Sequence, residues 1–330
     1  MNSIQCPSLG DLPPPPHGKH GWPWTEEGER LSNGTPNGRP WPKISIITPN
    51  YNYGQFIEET IRSVLLQGYP NLEFIVIDGA STDNSVEKIK KYEKWISYWI
   101  SKKDSGQASA INKGLKLCSG DLVNWINSDD LLARGCMASL GRLNSDYPNK
   151  IVAGACKNFS SAGHDVIIIN SNLSPKNLVT CWRNDYTYQQ PATFIPSKAI
   201  KSVGYLDESF NFCFDHEWLI RLTRHCDVIY TNDIFAEFRL HELSKTVAQQ
   251  DLFFGERLKL SKKHWKKDAE LKKSNEFKIF FLAVILNDKS GKGKKLFQIF
   301  MMVISDFKVL SLRNTWGAIK RIIFGRMKSK

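Results

Sequence analysis

Leu122-Val123-Asn124-Trp125-Ile126-Asn127-Ser128-Asp129-Asp130 passes from a mostly apolar run to an amide, a hydroxyl and two adjacent carboxylates. A short apolar run bounded in this way suits a buried strand. In an open α/β sheet, ligands sit beyond the carboxyl ends of the strands, so acids placed there face a crevice. Carboxylates with no Cys or His beside them suit a hard, oxygen-preferring cation such as Mg²⁺ or Mn²⁺. Ser128 and Asp129 would serve equally well as caps of a helix starting near Leu131. The stretch alone leaves both readings open.

Three segments upstream repeat the pattern. Lys43 to Pro49 reads as a first strand, and the turn-rich Asn50-Tyr51-Asn52-Tyr53-Gly54 leads into a helix with Ile57, Ile61, Val64 and Leu65 on one face. Leu72 to Ile77 reads as a second strand ending on Asp78, and Gly79-Ala80-Ser81-Thr82-Asp83 supplies a turn and helix caps. A third strand is predicted from Trp95 to Ile100, followed by Asp104-Ser105-Gly106-Gln107 and a helix carrying Ala108, Ile111 and Leu115. Such βαβ units cross over right-handed and give a parallel sheet. Thr48, Asp78, Asp104 and Asp129-Asp130 therefore follow successive strands, and four polar positions around one sheet point to a binding crevice rather than to four unrelated caps. Neither GxxxxGK[ST] nor a GxGxxG after a strand occurs, which removes the main support for a P-loop ATPase or a nicotinamide dehydrogenase.

Composition bounds the reading. The 330 residues provide for one large domain or two smaller ones. Seven scattered cysteines form no CxxC or Cys/His cluster, which fits reduced thiols better than disulfides or zinc. No signal-peptide-like segment opens the chain, and the longest apolar run, Ile279 to Leu286, is well short of a spanning helix. Residues 1–42 are rich in Pro, Gly and Trp and are expected to be an extended arm whose tryptophans pack. The basic excess lies at the other end: from residue 256 onward there are 20 Lys and Arg against six Asp and Glu, while the rest of the chain is near neutral.

In order and spacing, Ile46-Ile47-Thr48-Pro49-Asn50-Tyr51-Asn52, Ile77-Asp78-Gly79-Ala80-Ser81-Thr82-Asp83, Lys103-Asp104-Ser105-Gly106-Gln107 with Asn112-Lys113-Gly114, and Asn127-Ser128-Asp129-Asp130 resemble the nucleotide-sugar half of family 2 glycosyltransferases. The resemblance runs from about Trp41 to about His241. It implies the GT-A fold, an α/β Rossmann-like and mostly parallel sheet with flanking helices. It also implies a nucleoside-diphosphate sugar donor, with UDP the expected nucleotide, a Mg²⁺ or Mn²⁺ cofactor, and an inverting hexosyltransferase of class EC 2.4. By that likeness Thr48, Pro49 and Tyr51 line the base pocket, Asp78 binds the base, and Asp104 lies near the ribose and phosphates. Asp130 is then the direct metal ligand and Asp129 contacts the sugar or ribose.

The later half resembles the family's acceptor side at Gln189 to Phe194 and Val203 to Glu208. Phe214-Asp215-His216-Glu217-Trp218 resembles its catalytic acidic motif, although Phe214 stands where the family usually has an acid. Asp215 takes the place of the general base, with a helix N-cap as the competing role. Arg239-Leu240-His241 resembles the segment that closes over the diphosphate. The domain plan is thus an N-terminal extension over 1–42, a glycosyltransferase domain over 43–245 (donor half 43–130, acceptor half 131–245), and a basic helical extension over 246–330.

Apolar clusters alternating with Lys-rich turns in that extension suit an anionic membrane surface, contacted through 256–330, and a place at the inner face of the cell membrane. The resemblance implies a glycan or lipid-linked acceptor and work in cell-envelope polysaccharide synthesis. Nucleic acid is not an expected partner, since the strand-end acids repel phosphate backbones. Two other readings stand beside this one. A sugar nucleotidyltransferase would want a Gly-rich phosphate loop and a Lys after strand one, where this chain has Pro49-Asn50-Tyr51. A non-catalytic membrane-associated binding module would explain the basic extension but not the acids.

Overall fold

The structure, a computed structural model, describes residues 6–160, 163, 165–179, 186–242, 244 and 250–265. The expectations placed on 266–330 lie outside the described residues. The chain divides into two compact units, Met1–Leu178 with Arg183–Arg257, and Val179–Trp182 with Leu258–Lys330. All the functional candidates fall in the first.

Its centre is a nine-stranded mixed sheet. Strands β1 (Ile44–Asn50), β2 (Leu72–Asp78), β3 (Tyr98–Ser101) and β4 (Leu122–Trp125) are parallel in the order β3-β2-β1-β4. Every residue of β1, β2 and β4 is buried, as expected of parallel strands covered on both faces. The connecting helices are α1 (Ile57–Leu65), α2 (Ser85–Tyr92) and α3 (Gln107–Leu117). The helical spacing in the sequence is realised: Ile57, Ile61, Val64 and Leu65 of α1, and Ala108, Ile111 and Leu115 of α3, are all buried. Gly114 lets α3 lie directly on β1, because a Cβ there would come within 2.6 Å of the Ile47 side chain.

After β4 the pairing is mixed. The short β5 (Leu131–Leu132), helix α4 (Cys136–Asp146), the hairpin β6 (Ile151–Ser160) and β7 (Val166–Ile169), strand β8 (Thr193–Pro196) and strand β9 (Val228–Leu240) extend the sheet in the order β4-β8-β6-β9-β5. Strand β8 is antiparallel to β4 and β6, whereas β6 is parallel to β9. Leu131 therefore starts a strand paired with β9, not a helix capped by Ser128 and Asp129. Helices α5 (Pro175–Val179), α6 (Ser197–Val203), α7 (Phe214–Leu222) and α8 (Gln250–His264) complete the described elements.

The arm before β1 is fixed by one buried cation. Arg62 of α1 has no exposed surface. Its guanidinium donates to the carbonyls of Pro13, Pro23 and Trp24 at 2.8–3.0 Å and to the Tyr92 hydroxyl, and it stacks on the Trp24 ring. Trp22, after which a cis peptide leads into Pro23, donates its indole N–H to the Leu132 carbonyl. Trp24 and Trp41 are buried. Six cysteines among the described residues are free thiols.

Candidate active site

The parallel strands end on one level. Register aligns Asn50 with Asp78 and Asp78 with Ser101, so three polar side chains meet in a row. Asp78 is fully buried. One of its carboxylate oxygens accepts from the Asn50 amide at 2.7 Å and the Ser81 hydroxyl, and the other from the Ser81 N–H at 2.9 Å and the Ser101 hydroxyl at 2.6 Å. Four donors occupy this carboxylate, and it is absent from the crevice lining. Asp78 thus shapes the Gly79–Ser81 turn, and the expectation that it touches a base does not fit its position. Thr48 likewise lies fully buried beneath the floor.

The surface itself is made by their neighbours. Pro49, Tyr51, Gly79, Ala80, Lys103 and Asp104 line one end of a crevice of about 800 Å³. Tyr51 is 61% exposed, leaving its ring free to stack. Gly79 is open because it must be: a Cβ there would sit 3.1 Å from Asp104 Oδ2 and 3.3 Å from the Tyr51 ring. Asp104 accepts the Gly106 N–H at 2.9 Å through Oδ1.

The acidic loop after β4 divides its two carboxylates. Asp130 turns inward, is fully buried, and accepts from the backbone N–H of Arg239 and the Asn127 amide, both at 3.1 Å. Burial, with the charge of Asp129 beside it, pushes its carboxyl well above the usual range. Asp129 points the other way and lines the crevice, with Oδ2 at 2.9 Å from His241 Nε2. The Thr60 hydroxyl holds the loop from below through the carbonyls of Ser128 and Asp130. Ser128 and Asp129 form a tight turn closed by the Asp130 N–H on the Asn127 carbonyl, which sends Asp129 to the crevice and Asp130 into the interior.

Arg239, expected at the donor, is occupied elsewhere. Its Nε donates to the Asp129 carbonyl at 3.0 Å, its Nη2 pairs with Glu59 at 2.9 Å, and its guanidinium lies between the Phe56 and Phe159 rings. It clamps the acidic loop and does not line the crevice. His241 packs against Tyr53 and Phe56.

A divalent ion suits Asp129 better than it suits Asp130. Asp129 lines the crevice, with His241 Nε2 2.9 Å behind its Oδ2 and outside the lining itself, whereas Asp130 has both oxygens bonded inside the protein. No cluster of three or more His, Cys, Asp or Glu that could hold a metal occurs among the described residues. Mg²⁺ keeps few protein ligands and completes its shell with water and substrate phosphates, so one crevice-facing carboxylate is compatible with it.

The far end of the same crevice is lined by Trp125, Tyr188, Gln190, Phe214 and Asp215. Helix α7 starts with Cys213 as its cap, so Asp215 lies inside the first turn and is not the N-cap. Its carboxylate accepts the His216 N–H at 2.7 Å, and burial pushes its pKa up to about 6. Glu217 is fully buried against Arg221, whose Nη1 and Nη2 also donate to the carbonyls of Val203 and Tyr205. His216 lies within 2.9 Å of the Leu178 carbonyl and beside Tyr186 and Tyr188. Both support α7 and leave Asp215 as its crevice-facing acid.

Two amides to which the sequence assigned no role join segments far apart in the chain. Asn112 of α3 donates to the Leu206 carbonyl and Glu208, and accepts the Leu206 N–H. Gln190 donates to Asn124 and the Trp125 carbonyl. Nothing in their types set them apart, since their partners lie about 66 or more residues away.

A parallel sheet carrying an acidic loop at its rim, continued by a mixed set of strands around one crevice, defines a GT-A glycosyltransferase fold. Residues 45–193, just under half of the chain, match the sequence model of glycosyl transferase family 2. An uncharacterized glycosyltransferase of Rickettsia typhi is 26% identical over 211 residues, covering 62% of this chain and 66% of the relative. Among solved structures, Staphylococcus aureus TarS residues 1–349 in complex with UDP-GlcNAc superposes with a TM-score of 0.55 at 16% identity, covering 85% of this chain and 81% of that one. The mannosyltransferase PcManGT of Pyrobaculum calidifontis, in complex with GDP-Man and Mn²⁺, gives 0.50 at 14% identity, covering 88% and 89%.

Proposed function

We propose that this enzyme moves a sugar from a nucleoside-diphosphate sugar, with UDP the expected nucleotide, to an acceptor hydroxyl, inverting the anomeric carbon. The observation that carries the reading is the continuity of one crevice from Tyr51, Asp104 and Asp129 to Asp215. Donor and acceptor then meet without leaving the cleft. The carboxylate of Asp215 takes the acceptor hydroxyl proton as the new bond forms at C1 and the bond from C1 to the diphosphate oxygen breaks on the opposite face. General base catalysis of this kind is typically worth ~10²–10⁴-fold. Tyr51 stacks on the base, and Asp104 lies beside the ribose or phosphates. Asp129 is the residue that would hold Mg²⁺ or Mn²⁺, which when bound supplies positive charge for the departing diphosphate. The sugar nucleotide and Mn²⁺ in the structural relatives support a donor and metal of this class.

The acceptor is proposed to be a glycan or lipid-linked glycan in cell-envelope polysaccharide synthesis, reached at an anionic membrane surface through the basic extension. No helix among the described residues is long and apolar enough to cross a membrane.

Calorimetric titration with UDP, GDP and dTDP, each with and without Mn²⁺, tests the donor end. One nucleotide is expected to bind in a metal-dependent way. Asp129→Asn should weaken that binding at least about tenfold, the scale on which metal sites respond to altered ligation. Asp130→Asn should instead register mainly as lost stability. Metal-dependent binding that survives Asp129→Asn and vanishes in Asp130→Asn would reverse the assignment.

A further inference from the structure

The carboxylate of Glu256, in α8, accepts three consecutive backbone N–H groups: Asn211 at 2.7 Å through Oε1, and Phe212 at 2.7 Å and Cys213 at 2.9 Å through Oε2. Those residues form the turn that delivers the chain into α7, two positions before Asp215. Successive N–H groups converging on one oxygen pair make an anion-binding nest, here filled by the protein's own side chain. The next residue, Arg257, lines the crevice together with Asp215. Both belong to the same compact unit as the catalytic strands.

We infer that Glu256 and Arg257 are positioning residues for Asp215: Glu256 fixes the turn that aims the carboxylate, and Arg257 holds a positive charge near it. The inference rests on the reading of Asp215 as the base. It makes the start of the C-terminal helix part of the catalytic apparatus, where the sequence suggests only a basic appendage.

Among the described residues, the groups facing Asp215 are few. His216 donates its N–H from the same helix turn, the buried Tyr188 hydroxyl stands close enough to feel its charge, and Arg257 and Glu256 act on it with opposite signs. Arg257 favours the ionised carboxylate and Glu256 disfavours it. Neutralising either therefore moves the titration of Asp215 in a known direction, and the opposite signs separate the two charges from loss of packing, which admits water and lowers the midpoint in both variants.

The test is ¹³C NMR titration of the full-length protein carrying ¹³Cγ-labelled Asp, with the Asp215 resonance assigned by its disappearance in Asp215→Asn. Glu256→Gln keeps one acceptor oxygen and the side-chain length while removing the charge, and should lower the Asp215 midpoint. Arg257→Gln should raise it. In parallel, steady-state release of UDP or GDP from UDP-GlcNAc or GDP-mannose in the presence of Mn²⁺ should show Glu256→Gln lowering kcat several-fold with KM for the donor unchanged. The acid limb of its pH profile should move with the NMR midpoint. If neither variant moves the midpoint, or both move it the same way, the inference is overturned. A wild-type turnover that Asp215→Asn retains would instead overturn the assignment of the base, and the NMR result would stand apart from it.

Discussion

The side chain with the strongest pH signature is Asp215. Its carboxyl titrates near 6 because the folded chain removes it from water. A group whose folded pKa is raised binds its proton more tightly when folded. Its contribution to stability is complete below the unfolded value of about 3.9 and is lost as pH rises through about 6. Activity runs the opposite way, since only the ionised form accepts a proton. Transfer should therefore rise through pH 6, and Asp215→Asn should lose ~10²–10⁴-fold in kcat while binding nucleotide normally and unfolding no more readily than wild type at pH 7.5. A pH–rate profile and a thermal melt check the two halves. An Asn variant that loses nucleotide binding and melts early would mark the residue as structural. At this scale, residue types marked the site, and packing decided which of two equivalent residues faces it. Asp129 and Asp130 are identical in chemistry and adjacent in sequence. Only the bonds from Asn127 and the Arg239 backbone N–H show which one the protein uses internally.

Among the elements, α1 anchors both the acidic loop, through Thr60 and Glu59, and the N-terminal arm, through Arg62. Arg62→Ala leaves three carbonyls and the Tyr92 hydroxyl short of a buried donor, and it opens a void against Trp24. Charged hydrogen bonds are each worth ~1.5–3 kcal/mol, so a loss of about 3 kcal/mol or more is expected in urea unfolding, with the arm becoming protease-sensitive ahead of the core. Equal protease resistance in the variant would show that the arm is held by its tryptophans. The parallel half of the sheet was legible because its strands are mostly apolar and give way to polar residues at matching places. Strands β5 to β9 were not, since several pairings reach far along the chain and leave little local signal: β5 has two residues with partners about 105 positions on, and β4 pairs with β8 and β6 with β9 across more than 70. The third strand was read a few residues early because Glu93–Trp95 forms a 3₁₀ turn before Tyr98.

At the level of the whole molecule, the asymmetry of charge sets the expectation. The 20 basic residues after position 255, against six acidic ones, should draw the protein to anionic bilayers, at about 1 kcal/mol per basic residue close to the surface. In liposome flotation, the full chain is expected to rise with phosphatidylserine-containing vesicles and to do so less as salt increases, whereas a chain ending at residue 265 should stay in the lower fraction. Equal partitioning of the two would remove the extension as the membrane contact. The cut is placed there because Glu256 and Arg257 precede it, so donor chemistry and membrane contact are separated by the same experiment. A basic excess reads directly from sequence, whereas the clamp on residues 211–213 does not, because a lone Glu at the start of a Lys-rich segment looks like ordinary surface charge. The arm held by Arg62 carries a last consequence, for synthesis. Residues 13–24 leave the ribosome well before the guanidinium that binds them, and the Leu132 carbonyl that accepts from Trp22 emerges 110 residues after it. Residues 13–24 thus wait on partners made later, and a nascent chain stalled before β5 would hold Trp22 without its Leu132 acceptor and open to chaperones.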